Sequence, residues 1–194
     1  SSSKKGVLRG LHFQWNSYMG KLVRTVRGHM VDIVLDIRKG SPTFGKAIAY
    51  DMPASSTSTD NEWIWVPPGF AHGNCYLEDT VIEYLCTGEY NPKCEAGISP
   101  TSNIDWSLCD PSVFDQIKPY LNEPTMMSEK DLNGYQLADW LNCEDSNHFT
   151  WTSLTNQTLV SGGSGLLGCE LKQLLPNAYY QTRSSFNVSD FAQM

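Results

Sequence analysis

Four histidines are few enough in 194 residues to weigh singly. His12 lies in Arg9-Gly10-Leu11-His12-Phe13-Gln14, and His72 lies in Pro67-Pro68-Gly69-Phe70-Ala71-His72-Gly73. His29 follows a turn glycine and His148 falls in a polar stretch, so both read as surface residues. An imidazole titrates near neutrality, so a histidine held in a pocket can take up and return a proton at physiological pH. A metal centre would need more ligands than His12 and His72 offer, because no His-x-His pair accompanies them. The six cysteines, Cys75, Cys86, Cys94, Cys109, Cys143 and Cys169, form no C-x-x-C pair and no zinc spacing. They read as reduced thiols in a cytoplasmic protein.

These residues must be carried by β-structure. Lys21–Arg27 alternates and stops at Gly28; Met30–Ile37 is β-branched and ends at Lys39-Gly40-Ser41-Pro42. Ala47–Tyr50, Trp63–Val66 and Thr80–Leu85 are further short strands. Short strands separated by Gly/Pro turns, with no amphipathic helix between them, predict a sandwich or barrel up to about Tyr90. His12 falls just before the first clear strand and His72 in a Pro-Gly turn. Residues 91–135, rich in Pro, Asn, Ser and Asp, are expected to wrap the barrel as loops and short turns. Residues 136–155 read as a linker, although Trp140, Phe149 and Trp151 argue against full disorder.

The charge is uneven. Residues 1–46 carry nine of the fourteen Lys/Arg and only the acids Asp32 and Asp36, a net +7, which leaves −14 for the remainder of a chain of net charge −7. A short basic stretch in an acidic protein suits a small anionic ligand and not nucleic acid. No apolar run approaches the roughly 18 residues of a membrane span, and no secretory signal follows the basic start.

Pro67-x-Gly69-x-x-His72 matches the second cupin motif, in which the turn aims a histidine into a barrel mouth. A wider resemblance is carried by Gly6-Val7-Leu8-Arg9-Gly10-Leu11-His12-Phe13-Gln14, Gly20-Lys21-Leu22-Val23-Arg24, Asp36-Ile37-Arg38-Lys39-Gly40-Ser41-Pro42-Thr43-Phe44-Gly45 and Pro67–Gly73. In order and spacing, these resemble the dTDP-4-dehydrorhamnose 3,5-epimerase family, from about Lys4 to Asp131. The resemblance implies a mainly β, cupin-type (double-stranded β-helix, jelly-roll) barrel over residues 1–135. It also implies an N-terminal arm preceding Ser1, a homodimer in the full-length form, and an isomerase of dTDP-rhamnose biosynthesis. The implied substrate is a dTDP-4-keto-6-deoxy sugar, inverted at C3 and C5 without a cofactor. The alternatives are inversion at a single centre, or a non-catalytic sugar-nucleotide-binding module. By resemblance, His12 is the base, Lys21 the cation near the enolate oxygen, Tyr84 the acid on the far face, and Asp131 the carboxylate holding His12. Arg9, His72 and Tyr90 are implied as substrate-binding residues. Glu89 departs from the family, many members of which carry a second aromatic beside Tyr90.

Past Gln157 the texture changes. Thr158-Leu159-Val160 reads as a strand and Ser161–Gly165 as a glycine loop, and Leu166, Leu167, Leu171, Leu174 and Leu175 recur at helical spacing. Gly162-x-x-Gly165-x-x-Gly168 resembles the phosphate loop of NAD(P)-dependent reductases, where glycine lets backbone approach a pyrophosphate. Residues 156–194 are thus expected to be the β-α start of a Rossmann-like unit resembling dTDP-4-dehydrorhamnose reductase. NAD(P) binding would need a complete domain, so no reductase activity is expected of these residues alone.

Overall fold

The computed structural model describes residues 1–55, 62–121, 123, 126–155, 159–160 and 179–180. The chain forms two compact units, Ser1–Phe149 and Thr150–Met194.

The first unit is built on two antiparallel sheets. Its strands are β1 (Ser2–Ser3), β2 (Leu8–Gln14), β3 (Lys21–Arg27), β4 (His29–Asp36), β5 (Ala47–Pro53), β6 (Ile64–Val66), β7 (Phe70–Tyr76), β8 (Thr80–Cys86) and β9 (Glu95–Gly97). One sheet has the order β1-β8-β3-β6, the other β5-β4-β7-β2-β9. This is the mainly β, cupin-type architecture expected. The strands alternate as half-buried strands should: Val23, Thr25 and Ile82 are buried in the four-stranded sheet, whereas their neighbours Arg24, Val26 and Glu83 are not. β4 differs, being buried at every position after His29. It is an inner strand of its sheet, and its β-branched residues pack on both faces. Val23, Met30, Met52, Tyr76 and Ile82 form one core cluster joining the two sheets.

Two stretches near the histidines differ from the expectation. Leu8–Gln14 is a strand, so His12 lies within β2 and not ahead of the first strand. His72 likewise lies inside β7, beyond the Pro67-Pro68-Gly69 turn. The two histidines are register partners across β2 and β7, with a bulge between Arg9 and His12. Glycine makes this close pairing possible. Gly10 has φ +113°, and a Cβ there would lie 2.6 Å from the His72 carbonyl oxygen and from Gly73 Cα.

The region after β9 is more helical than its composition suggested. α1 spans Pro111–Leu121. Asp110 caps it, accepting the Ser112 N–H at 2.8 Å, and proline occupies the first helical position, where no N–H partner is needed. α2 is the single turn Glu129–Leu132, capped by Ser128. α3 spans Leu137–Asn142, and a 3₁₀ turn covers Glu144–His148.

The stretch from 136 to 149 is therefore not a linker. Trp140 and Phe149 are fully buried, and the Phe13 ring meets them edge-on at 4.7 and 5.3 Å. Aromatic side chains bury enough surface to fix a short helix that would not form alone. Accordingly the first unit ends after Phe149, not at 135.

In the second unit, α4 (Trp151–Thr155) precedes β10 (Leu159–Val160), which pairs in parallel with β11 (Tyr179–Tyr180). Gly162, Gly165, Gly168 and the leucine-patterned segment lie outside the described residues. No helix among the described residues is long and apolar enough to cross a membrane.

Candidate active site

A cavity of about 770 Å³ lies between the two sheets of the first unit. Arg9, His12, Lys21, His72, Tyr84, Tyr90 and Asp131, all singled out from sequence, line it. They come from β2, β3, β7, β8, the loop after β8, and α2. Neighbours in the cavity therefore lie far apart in the chain: His12 and Asp131 are brought together across more than a hundred residues.

His12 Nε2 lies 2.7 Å from Asp131 Oδ1. The contact is an ion pair only once His12 is protonated, and it is not an aligned hydrogen bond, since Nε2 has no well-directed acceptor among the described residues. Asp131 is itself firmly placed. Ser128 Oγ donates to its Oδ2 at 2.7 Å, and the Gly10 N–H reaches its Oδ1 at 3.3 Å. Burial pushes the Asp131 carboxyl up, but the His12 imidazole, the Ser128 hydroxyl and the Gly10 N–H outweigh this and hold it below the usual aspartate value. The carboxylate is thus ionised when His12 takes a proton. Opposite His12 stands Gly97, whose absent side chain leaves room for the ring: a Cβ there would lie 3.0 Å from His12 Cδ2.

His72 has a carboxylate partner too. Its Nε2 lies 2.8 Å from Asp32 Oδ2, which also accepts from Asn74 Nδ2 at 2.9 Å. Asp32 is fully buried. Sequence reasoning does not select it, yet a signal is present: an acid in the middle of Met30-Val31-Asp32-Ile33-Val34-Leu35, a strand apolar on both faces, must have a buried partner.

Across the cavity, Lys21 and Tyr84 project from β3 and β8, whose pairing sets Lys21 opposite Cys86 and Val23 opposite Tyr84. Burial lowers the Lys21 ammonium below its ordinary value, with Cys86, Glu95 and Asp32 pulling it partway back up. Tyr84 remains 49% exposed, on the cavity side. Among the described residues, neither the Lys21 ammonium nor the Tyr84 hydroxyl has a hydrogen-bond partner.

Two further charged residues stand at the mouth. Glu95 Oε2 accepts from Lys130 Nζ and from Tyr90 Oη, each at 2.7 Å. Glu95 is held below the ordinary glutamate value, because these partners and nearby His12 outweigh its burial. Neither Glu95 nor Lys130 belongs to a motif that marks it in the sequence.

The arrangement can remove a proton from carbon and return one. An imidazole backed by a carboxylate lines one wall, and an ammonium and a phenol without hydrogen-bond partners among the described residues line the other. Electrostatic stabilisation of a developing oxyanion by such a cation lowers the barrier to enolisation.

Comparison with known proteins is consistent with this chemistry. A family model described as dTDP-4-dehydrorhamnose 3,5-epimerase matches residues 1–139. The dTDP-4-dehydrorhamnose 3,5-epimerase of Shigella flexneri is 39% identical over 144 residues, covering 72% of this chain and 70% of that protein. The Neisseria gonorrhoeae protein of the same name is 40% identical over 151 residues, covering 75% of this chain but only 40% of its own length. A crystal structure of the Legionella pneumophila dTDP-6-deoxy-D-glucose-3,5-epimerase, in complex with dTDP-4-keto-L-rhamnose, superposes with a TM-score of 0.58 at 34% identity, covering 77% of this chain and 71% of that one. With the barrel, the paired histidines and these matches in agreement, the chain belongs to the dTDP-4-dehydrorhamnose 3,5-epimerase family of isomerases.

Proposed function

We propose that the first unit epimerises C3 and C5 of dTDP-4-dehydro-6-deoxy-D-glucose, giving dTDP-4-dehydro-L-rhamnose. The observation that carries this reading is the placement of His12, backed by Asp131, and of Tyr84 on facing sheets of one cavity that Lys21 also lines. The protons at C3 and C5 are α to the C4 carbonyl, so a base can remove them and no redox cofactor is called for. His12 takes the proton, and the C–H electrons move to the C4 oxygen as an enolate. The Lys21 ammonium stabilises that oxyanion. Tyr84 Oη then gives a proton to carbon from the opposite face, which inverts the centre. His12 loses its proton to solvent and Tyr84 regains one, and the site is reset. Asp131 fixes the imidazole and stabilises its charged form. Arg9, His72 and Tyr90 bind the substrate, with the Arg9 guanidinium suited to the diphosphate.

A homodimer belongs to the same reading. It is supported by Trp65, Leu22 and Leu85, which stand in register on the face of the four-stranded sheet turned away from the cavity. Trp65 and Leu85 are 49% and 56% exposed there, an apolar row suited to a second copy. A cytoplasmic setting agrees with five free cysteines among the described residues. Residues 156–194 read as the start of a dinucleotide-binding unit. The glycine spacing supports this, as does the parallel β10–β11 pair that a βαβ crossover produces.

The test is proton exchange followed by NMR, with dTDP-4-keto-6-deoxyglucose in deuterated water. Deuterium should enter at both C3 and C5, and His12→Ala should slow this by on the order of 10⁴. Entry at one carbon alone would replace the double epimerase with a single-centre enzyme. Binding without any exchange would leave a sugar-nucleotide-binding module.

A further inference from the structure

Tyr90 stands at the cavity mouth, on the segment joining β8 to β9. It is 63% exposed, so packing does little to hold it. Segments with few buried contacts open readily unless polar contacts restrain them. At the tip of the ring, Tyr90 Oη is tied to Glu95. The backbone is held by a different residue, Gln14, the last of β2.

Gln14 is buried, and its side-chain amide is used almost to capacity. Nε2 donates to the carbonyl of Glu89 at 2.9 Å and to that of Ser17 at 3.1 Å, while Oε1 accepts the Asn91 N–H at 2.7 Å. The amide orientation follows from the partners, since two carbonyls require donors and an N–H requires an acceptor. Gln14 therefore grips the residues immediately before and after Tyr90. The surroundings reinforce the seam. Asn91 Nδ2 donates to Asn16 O at 2.9 Å, and the Trp15 N–H donates to Cys94 O at 2.9 Å. Gly88 sits so close to the Ser17 hydroxyl that a side chain there would overlap it. Although Gln14 lines the cavity, both of its N–H donors are already committed, which leaves it poorly equipped to recognise a ligand itself.

We propose that Gln14 is a positioning residue: it fixes Tyr90 as a wall of the substrate pocket and so sets substrate affinity, not the rate of proton transfer. The proposal rests on the epimerase reading for its substrate. Gln14 lies two residues from His12 on the same face of β2, so one strand places both the base and the wall that confines the sugar nucleotide.

Gln14→Met keeps the side-chain length and removes all three hydrogen bonds. Kinetic constants with the dTDP-4-keto sugar are measured for wild type, Gln14→Met, Tyr90→Ala and the double variant. Hydrogen–deuterium exchange of residues 87–94 is followed in parallel without ligand. KM should rise about tenfold with kcat held within about twofold, the pattern of lost uniform binding. In the Tyr90→Ala background the same substitution should add less than about twofold, because the two residues act as one unit. Amides of 87–94 should exchange at least about tenfold faster while β4 and β7 keep their protection. Additive effects on KM, or a fall in kcat at constant KM, would overturn the proposal. Unchanged protection of 87–94 overturns the brace whether or not the chain turns over. Faster exchange in the variant of a wild type without activity would sink the epimerase reading and leave the brace standing. Asn91→Ala, which cuts the Asn16 tie and the Lys93 N–H contact but spares the three Gln14 bonds, is the milder variant should Gln14→Met not fold; it should shift KM and protection in the same direction.

Discussion

The two sheets that enclose the cavity hold their functional side chains in opposite ways. On the five-stranded sheet each cavity histidine is tied to a carboxylate, His12 to Asp131 at 2.7 Å and His72 to Asp32 at 2.8 Å. On the four-stranded sheet Lys21 and Tyr84 are left without a side-chain partner among the described residues, and β8 is exposed from Glu83 to Cys86. The difference fits the tasks proposed for these residues. A base that becomes charged gains from a carboxylate already in place, whereas groups that must meet the substrate are best left unpaired until it arrives. Uncommitted groups have a cost, since an unpaired buried cation destabilises the fold. One half of the site should therefore behave as structure, and the other as a functional burden on structure.

Tyr84→Phe gives the sharpest cut, with an expected effect exceeded only by that of His12→Ala. Removing the acid should lower formation of inverted product by on the order of 10³. His12 and Lys21 remain, so deuterium should still wash into the substrate with retained configuration. Parallel loss of exchange and inversion would show that Tyr84 is not the far-face acid. Lys21→Met comes next, with a fall of on the order of 10² to 10³ in both exchange and inversion. Its stability should move the other way. The native ammonium has a lowered pKa, so the full desolvation cost is present below the native value and is relieved as pH rises through it. Replacing Lys21 by Met removes that cost, and thermal unfolding should shift upward. A lower melting temperature would break the contrast between the sheets.

Asp131→Asn probes the held half, with an expected rate loss of about 10². Here activity and stability should fall together. Asp131 has a lowered native pKa, so its contribution is fully present above the ordinary aspartate value near 3.9 and disappears as pH falls through the native value. The gap in stability between wild type and the Asp131→Asn variant should accordingly be widest near neutrality and close as pH falls below about 4. Denaturant melts across this range give the comparison directly, and a gap constant with pH would mean that the charge of Asp131 is not what holds His12.

Much of this arrangement was legible in the residues. Alternation and Gly/Pro punctuation marked most strands, and the motifs about His12, Lys21 and His72 selected residues that the fold brings to one cavity. What escaped was set by tertiary packing. Leu8–Gln14 and Phe70–Tyr76 do not alternate cleanly because both are buried on two faces and carry glycines where they approach each other. α3 is only six residues long and owes its existence to the burial of Trp140 against Phe13 and Phe149, contacts that no local pattern reports. Asp110-Pro111 did carry a helix-start signal for α1, but its polar neighbours read as loop. Lys130 and Glu95 are ordinary surface charges in sequence and become a pair at the mouth only through the β9–α2 approach.

The smallest expected effect tests how tightly the held half is held. Gly97 faces His12 across β2 and β9, and a Cβ there would approach His12 Cδ2 at 3.0 Å and the Leu11 carbonyl at 3.2 Å. Those distances are tight but not prohibitive, so Gly97→Ala should fold and displace the imidazole by a few tenths of an ångström. A misplacement of about 1 Å can cost on the order of 10² in rate, so this smaller shift should slow exchange at C3 and C5 by less than about tenfold. The loss should appear in kcat and not in KM, because the nucleotide contacts are untouched. If the rate does not change, the His12–Asp131 pair can re-seat around a methyl group, and the rigidity ascribed to the five-stranded sheet resides in the pairing of its strands and not in the placement of the base.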